Sequence, residues 1–377
     1  PHTSELTLAS HGPKAYFDQE DVMDLTLCGQ SAFYYHRIPP QILGLYPAIS
    51  LAIWIADVAA SEVMQLKRPA SRTASQDCIH SGTIRVASLF KSHLLTQEPP
   101  PGSFRQTEHG FDVTSPEFTL LNLATQVSRN QLLMACYEMC SSFAVYTPCK
   151  RAQRQLDEAI SLKLIPPNCG WERVIDVNGK DTNLWKRTPL LSAADIAAFA
   201  KQAAGLRGVK QLRWAAERMT GQTASPFEVQ TSMLISLPRD EGGMGINIAN
   251  NVRIPLSDAV RSLYDKTCCY ADILIESATD SMGVILDAKR SAHDSEAASL
   301  SDAERATALT SMGYDVIQIT FGQIKDKKSF DHIAELIHKK AGLSYTPKTK
   351  QERAAEVTLR QELLVNWVEL FTAKPAS

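Results

Sequence analysis

The stretch that most restricts how this chain folds is residues 270–290. It reads Tyr-Ala-Asp-Ile-Leu-Ile-Glu, then a polar turn Ser-Ala-Thr-Asp-Ser-Met-Gly, then Val-Ile-Leu-Asp-Ala-Lys-Arg. Both flanks are apolar, rich in Ile, Leu and Val, and separated by turn-forming residues, which predicts two adjacent strands. Side chains leave a strand by alternate faces, so Asp287 and Lys289 are expected on one side, with Asp272 of the preceding strand brought opposite them. Charges inside a strand of buried type are costly unless they pair or bind a metal. Two carboxylates and a lysine at one sheet edge allow either outcome, a buried ion triad or a metal site.

The surrounding text supplies the remaining elements. Ser225-Pro226-Phe227-Glu228 opens a capped helix with Met233, Leu234 and Leu237 as its apolar stripe. Residues 238–245, with three glycines, form a loop, and residues 250–254 a strand. A second helix is expected to start at Ser301, with Glu304 at the third position in a capping-box arrangement, and to end at Gly313. Tyr314-Asp-Val-Ile-Gln-Ile-Thr-Phe follows as a β-prone strand. The order is helix, strands, helix, strand.

This order and these residues resemble the PD-(D/E)XK endonuclease superfamily, and more closely its branch related to very-short-patch-repair endonucleases, over about residues 222–340. Asp272 at one strand, Asp287-Ala288-Lys289 in the next, Glu228 on the leading helix, and Asp302 and Arg305 ahead of the last strand carry the resemblance. It implies a restriction-endonuclease-like core, a mixed sheet flanked by helices, and Mg2+- or Mn2+-dependent hydrolysis of DNA phosphodiester bonds. Such cleavage needs a cation at the scissile phosphate and an activated water in line with the leaving oxygen. Asp272 and Asp287 are the expected metal ligands, hard oxygen donors suited to magnesium. Lys289 is the expected water-activating group and Glu228 supports it. His293, beside Asp294, and Arg305 are candidates for an outer layer around the site. For Glu228 the competing reading is a helix N-terminal carboxylate stabilised by the helix dipole.

Upstream, Cys-Gly-Gln-Ser-Ala-Phe-Tyr-Tyr-His-Arg-Ile-Pro-Pro predicts a short helix from Ser31, stopped by Pro39 and Pro40. His36 and Arg37 lie at its C-terminus, where cations are favoured. The apolar run 42–60, interrupted by Asp57, reads as a buried helix. From His80 to Phe111, short apolar alternations such as Thr83–Ala87 flank Glu-Pro-Pro-Pro-Gly, which predicts a small antiparallel sheet with a proline-rich loop. Ser115-Pro116 then starts a helix whose apolar periodicity runs to about Met139. Residues 25–145 resemble abortive-infection AbiEi-type antitoxins, in which a Thr-Ser-Pro-Glu helix start follows a small sheet.

Residues 150–218 hold 13 Lys/Arg against 7 Asp/Glu, an excess that suits a phosphate backbone or a solvated helical surface. A linker followed by two helices is expected here, starting at Ser192 and Val209. Lys210 and Arg213, with Arg290 after the central strand, are the candidate nucleic-acid contacts. Cys136, Cys140, Cys149 and Cys169 offer four thiolates in a spacing that matches no common zinc pattern, and burial is the expected role. Cys268 and Cys269 are expected to alternate between surface and core. From Thr346, Lys-Thr-Lys-Gln-Glu-Arg reads as a charged linker before an amphipathic helix over 359–371, with Leu363, Trp367 and Leu370 as its packing stripe.

A formal net charge of −2 excludes a generally basic binder but not a local basic face. No run reaches the roughly 18 apolar residues of a membrane span, and no leader pattern opens the chain, so a cytoplasmic protein with no membrane partner is expected. The fold class expected is α/β with an α+β N-terminal part. Its divisions are 1–149 (helices and small sheet), 150–221 (basic, helical), 222–345 (nuclease-like) and 346–377 (helical tail). DNA is the expected partner, with a homodimer or a protein partner engaging the N-terminal region or the last helix. The alternative function is a catalytically inactive nucleic-acid-binding regulator or antitoxin-like protein.

Overall fold

The computed structural model describes residues 26–45, 76–80, 90–95, 97–109, 111–165, 170–176, 178–261, 264, 266–289 and 296–371. Among them are thirteen helices and twelve strands, the strands grouped in three sheets, so the chain is α/β. No helix among the described residues is long and apolar enough to cross a membrane. The run 42–60, Thr83–Ala87 and Cys169 lie wholly or largely outside the described residues.

The first part comprises β1 (Thr26–Leu27), α1 (Gly29–Tyr35), α2 (Pro40–Leu43), β2 (Gln76–His80), β3 (Phe90–Leu94), β4 (Phe104–Gln106) and β5 (Asp112–Thr114). The sheet order is β3-β2-β1-β5-β4. The sheet is mixed rather than antiparallel: β2 with β3 and β1 with β5 run parallel. The proline-rich loop is no hairpin turn, because it carries the chain from β3 at one edge of the sheet to β4 at the other. Helix α1 starts at Gly29, two residues before the expected Ser31. Gly29 has φ +55°, and a Cβ there would lie 2.6 Å from the Gln126 amide, so this early start depends on glycine. Pro40 does not only stop a helix but opens α2, at the position where its missing N–H costs nothing.

The helix expected from Ser115 to Met139 is two. Helix α3 (Pro116–Leu123) is capped by Ser115, whose Oγ accepts from the Phe118 N–H. Helix α4 (Arg129–Cys140) restarts at Ser128, which forms a reciprocal capping box with Gln131. Apolar periodicity alone does not show that break; the Ser-x-x-Gln signal does. Almost all of α4 is buried, including Cys136 and Cys140, whose thiols burial pushes up, Cys140 to about 12.

The expected linker after residue 150 is instead α5 (Lys150–Ser161) and a hairpin. With β6 (Phe143–Val145), strands β7 (Glu172–Ile175) and β8 (Asp181–Lys186) make the sheet β6-β8-β7. Trp185 supplies the physical reason: it is buried on β8, and its indole N–H donates to the Tyr146 carbonyl at 2.9 Å. Helices α6 (Ala193–Gln202) and α7 (Val209–Arg218) follow as expected, α6 with a Ser192–Asp195 capping box.

The C-terminal part runs α8 (Pro226–Ser236), β9 (Ala249–Pro255), α9 (Asp258–Arg261), β10 (Cys268–Ile275), β11 (Gly283–Lys289), α10 (Glu296–Ser311), β12 (Tyr314–Thr320), α11 (Phe321–Lys325), α12 (Lys327–Ala341) and α13 (Lys350–Leu363). Sheet order is β12-β11-β10-β9; the first three strands in sequence are antiparallel, and β12 joins parallel to β11. Ser301 lies inside α10 rather than at its cap. The preceding Glu-Ala-Ala-Ser-Leu are strong helix formers apart from one serine, and they extend the helix back to Glu296. Lys350–Arg353 is likewise the first turn of α13, where Thr349 and Glu352 form a capping box, and not a linker. That helix stops at Leu363, so Trp367 and Leu370, both buried, pack from the segment beyond it.

One buried ion pair ties these parts together. Glu138 on α4 is fully buried and its carboxylate accepts four hydrogen bonds. They come from Arg37 Nε (2.8 Å) and Nη2 (2.6 Å), Val145 N (3.0 Å) and Trp367 Nε1 (2.5 Å). Arg187 completes the cluster, donating to the Glu138 carbonyl at 2.6 Å and the His36 carbonyl at 2.9 Å. His36 is neutral, not a cation at a helix end: burial pushes it down to about 4, and its Nε2 bonds the Thr114 carbonyl. Breaking one side of such a pair strands the other charge, so Glu138→Gln is expected to destabilise the chain by about 3–5 kcal/mol. Replacing the pair together, Arg37→Met with Glu138→Leu, is expected to recover most of that loss, with urea unfolding as the measurement.

Candidate active site

Helix α8 and strands β10 and β11 bring three carboxylates together. The β10–β11 ladder runs from Ile275↔Val284 to Ile273↔Leu286, and continuing that register sets Asp272 across from Asp287. At that point a side chain takes over from the backbone: the Ala288 N–H donates to Asp272 Oδ2 at 2.9 Å. The two strands therefore part where their acidic residues meet.

Asp287 is buried and its Oδ2 accepts from Arg305 Nη1 at 2.8 Å; Arg305 Nη2 also donates to the Tyr270 carbonyl. Arg305 stands on α10, so this bond fastens the helix across β10 and β11. Burial alone would lower the Arg305 pKa; the charges of Asp287 and Asp272 outweigh it and leave the group raised.

Glu228 is buried in the first turn of α8. Its Oε2 accepts from Ala224 N and its Oε1 from the Ser225 hydroxyl, each at 2.7 Å, while the Ser225 Oγ caps the helix. In this arrangement Glu228 completes its own helix terminus and contributes its negative field to Asp272. The Asp272 carboxyl is pushed up to about 7, first by burial and then by the Glu228 charge. Asp287 adds to the rise; the Ala288 N–H and Arg305 oppose it.

Lys289 ends β11 in register with Thr320 of β12, and it is described by its backbone alone. Arg290 and His293 lie outside the described residues. Lys210 is exposed on α7, whereas Arg213 donates to the Ala200 carbonyl at 3.0 Å and ties α7 to α6. The sequence reading missed Asn250, buried on β9 beside the carboxylates. One of two adjacent asparagines in a polar strand text, Ala-Asn-Asn-Val-Arg, carries no signal that separates it from a turn residue.

Among the described residues, no group of three or more His, Cys, Asp or Glu side chains is placed to hold a metal ion. The pair Asp272 and Asp287 is nonetheless a hard, all-oxygen donor set. Magnesium commonly uses only one or two protein carboxylates and completes its shell with water and substrate phosphate. Burial is the first cause of the raised Asp272 carboxyl, and the charges of Glu228 and Asp287 add to it; a cation between the carboxylates would offset that second part. No family model matches the chain, and no curated protein or solved structure does.

The sign of the Asp272 shift gives a stability test. Its folded pKa lies above the unfolded value, so its contribution is fully present below about pH 4 and is lost as pH rises through about 7. Asp272→Asn removes that loss while keeping an acceptor for the Ala288 N–H. Since one pKa unit is about 1.4 kcal/mol, the variant is expected to gain on the order of 2–4 kcal/mol over wild type between pH 4 and pH 8. Urea unfolding at the two pH values measures the gap.

Proposed function

We propose that this chain is a divalent-metal-dependent endonuclease of the PD-(D/E)XK type that hydrolyses DNA phosphodiester bonds. The observation that carries the reading is the parting of β10 and β11 where Asp272 faces Asp287, two residues ahead of Lys289. The helix-strand-strand-strand-helix-strand order of α8, β9, β10, β11, α10 and β12 supports it, short helix α9 aside.

Asp272 and Asp287 would hold the cation, which when bound neutralises charge at the scissile phosphate and makes a coordinated water more acidic. Each protein group then has a limited task. Asp287 is paired with Arg305, whose Nη1 donates to its Oδ2 at 2.8 Å. Asp272, whose proton burial and the Glu228 charge favour, would hold the cation in its ionised form. Lys289 takes the proton from the attacking water, a role that requires its neutral form at the moment of transfer. Exposed Lys210 adds a phosphate contact that holds the backbone without reading sequence. The resemblance of residues 25–145 to antitoxins of abortive-infection systems and of residues 222–340 to repair endonucleases supports phage defence or DNA repair as the setting.

The Arg305–Asp287 pair favours a second reading, a nucleic-acid-binding regulator that does not cut. A half-buried guanidinium already pairs with one of the two carboxylates, so Asp287 is partly neutralised without a cation.

Cleavage of supercoiled and linear DNA in magnesium, manganese or chelator separates the two. Nicking in either metal is expected, none in chelator, with loss of about 100-fold or more in Asp272→Ala, Asp287→Ala and Lys289→Ala at unchanged fold. Salt-dependent DNA binding without cleavage of double-stranded, single-stranded or RNA substrates would establish the regulator instead.

A further inference from the structure

A chain of hydrogen bonds beside the carboxylates has no part in the cleavage chemistry above. Asn250 Nδ2 donates to Ser232 Oγ on α8 at 2.6 Å and to the Asp272 carbonyl on β10 at 3.2 Å. Its Oδ1 accepts from the Thr220 hydroxyl, and its backbone N–H donates to the Thr220 carbonyl at 2.8 Å. Thr220 is held in turn by Tyr137 of α4: its N–H donates to Tyr137 Oη at 3.1 Å, and the two hydroxyl oxygens are 2.9 Å apart. The backbone closes tightly around this point. Gly221, at φ +130°, bridges to Asn250, and a Cβ there would lie 2.9 Å from the Asn250 carbonyl oxygen.

The chemistry of an amide matters here. One nitrogen offers two hydrogens, and a carbonyl sits on the same carbon, so three elements can be joined at a single side chain. Ser232 is one helical turn after Glu228, and Asp272 itself supplies the other acceptor. Both acceptors of the Asn250 amide hydrogens thus belong to the elements that bear carboxylates. Aspartate has the same shape but no donor, and would add a fourth negative charge.

We propose that Asn250 is the positioning residue of the site, fixing α8 against β10 so that the Asp272 carboxylate reaches the Ala288 N–H and faces Asp287. Thr220, just after α7, braces it and is held in turn by Tyr137 of α4. The catalytic meaning of this role rests on the nuclease reading; the positioning of Asp272 is testable apart from it.

Residue-resolved amide hydrogen exchange on the full chain reads the positioning, and Mn2+ titration reads the metal site. In Asn250→Ala and Asn250→Asp the Ala288 amide is expected to exchange about tenfold faster or more, while the amides of Val284–Leu286 keep wild-type protection. Thr220→Ser, which keeps the hydroxyl, is expected to retain Ala288 protection, and Thr220→Val to lose it. Mn2+ affinity is expected to fall by about tenfold in the Asn250 variants. Should they fail to fold, Ser232→Ala removes one acceptor alone and is expected to speed Ala288 exchange by several-fold. A uniform loss of protection along β10 and β11, or unchanged Ala288 exchange, overturns the positioning role and leaves Asn250 a general clamp of the fold. Faster Ala288 exchange in a chain whose wild type neither binds Mn2+ nor cuts DNA removes the nuclease reading and sustains the positioning of Asp272.

Discussion

The pairing of Arg37 with Glu138 is the constraint on which the rest of the structure depends. A carboxylate with no solvent exposure is tolerable only when its lone pairs are filled, and here four donors from three segments, two of them distant in sequence, fill them. Arg37 comes from the N-terminal part, Val145 from the strand after α4, and Trp367 from beyond the last helix. None of these segments can leave without exposing a desolvated charge. The apolar contacts agree: the largest core cluster runs from Cys28 through α4 and β11 to Leu370. The C-terminal segment is therefore part of the core, and Gln131 and Gln230 fasten it further by donating to the Leu370 and Leu363 carbonyls.

The carboxylate site runs against the same physics. Asp272, Asp287 and Glu228 gather negative charge in a half-dry place, where Arg305 and local donors offset part of it. A fold selected for stability alone would have apolar residues here, since a well-packed hydrophobic replacement commonly matches or exceeds a buried ion pair. Perturbed carboxylates of this sort cluster at functional sites, and this one lies where the β10–β11 pairing ends. The contrast with Glu138 is instructive: both are buried acids, but Glu138 is saturated with donors from a rigid frame, whereas Asp272 faces two other acids.

What was legible in the sequence follows from how local each signal is. Strands β10, β11 and β12, the Ser225, Ser115 and Ser192 caps, and the glycine after α10 are encoded within a few residues, and the structure places them as expected. The facing of Asp272 and Asp287 followed from period-two alternation and a short turn, again a local argument. Non-local choices were not legible. The mixed pairing of β1, β2, β3 and β5 depends on which strands meet across tens of residues, and the proline-rich loop gives no hint that it crosses the sheet. The β7–β8 hairpin was read as linker because Trp185 and Leu184 are the only residues of its second strand that bury, too few for a clear alternation. Arg37 looked like a cation at a helix end because nothing near it in sequence announces Glu138, a hundred residues away.

One turn of α4 connects the frame to the site. Glu138 points to Arg37 and Trp367, and Tyr137, its neighbour in sequence, points to Thr220 and through it to Asn250. Adjacent helical residues leave the axis about 100° apart, so a single helix can serve two different neighbours without flexing. The interior of α4 is packed on nearly all sides, which fixes the direction of both side chains. Any shift of the N-terminal part that rotates α4 would have to break either the saturated Glu138 cluster or the Tyr137–Thr220 bond. The first is the costlier, because it strands a buried charge, so the chain gives way at Thr220 before it gives way at Glu138. The carboxylate site thus sits at the softer end of this connection, joined to α4 by hydrogen bonds between neutral groups at Tyr137, Thr220 and Asn250.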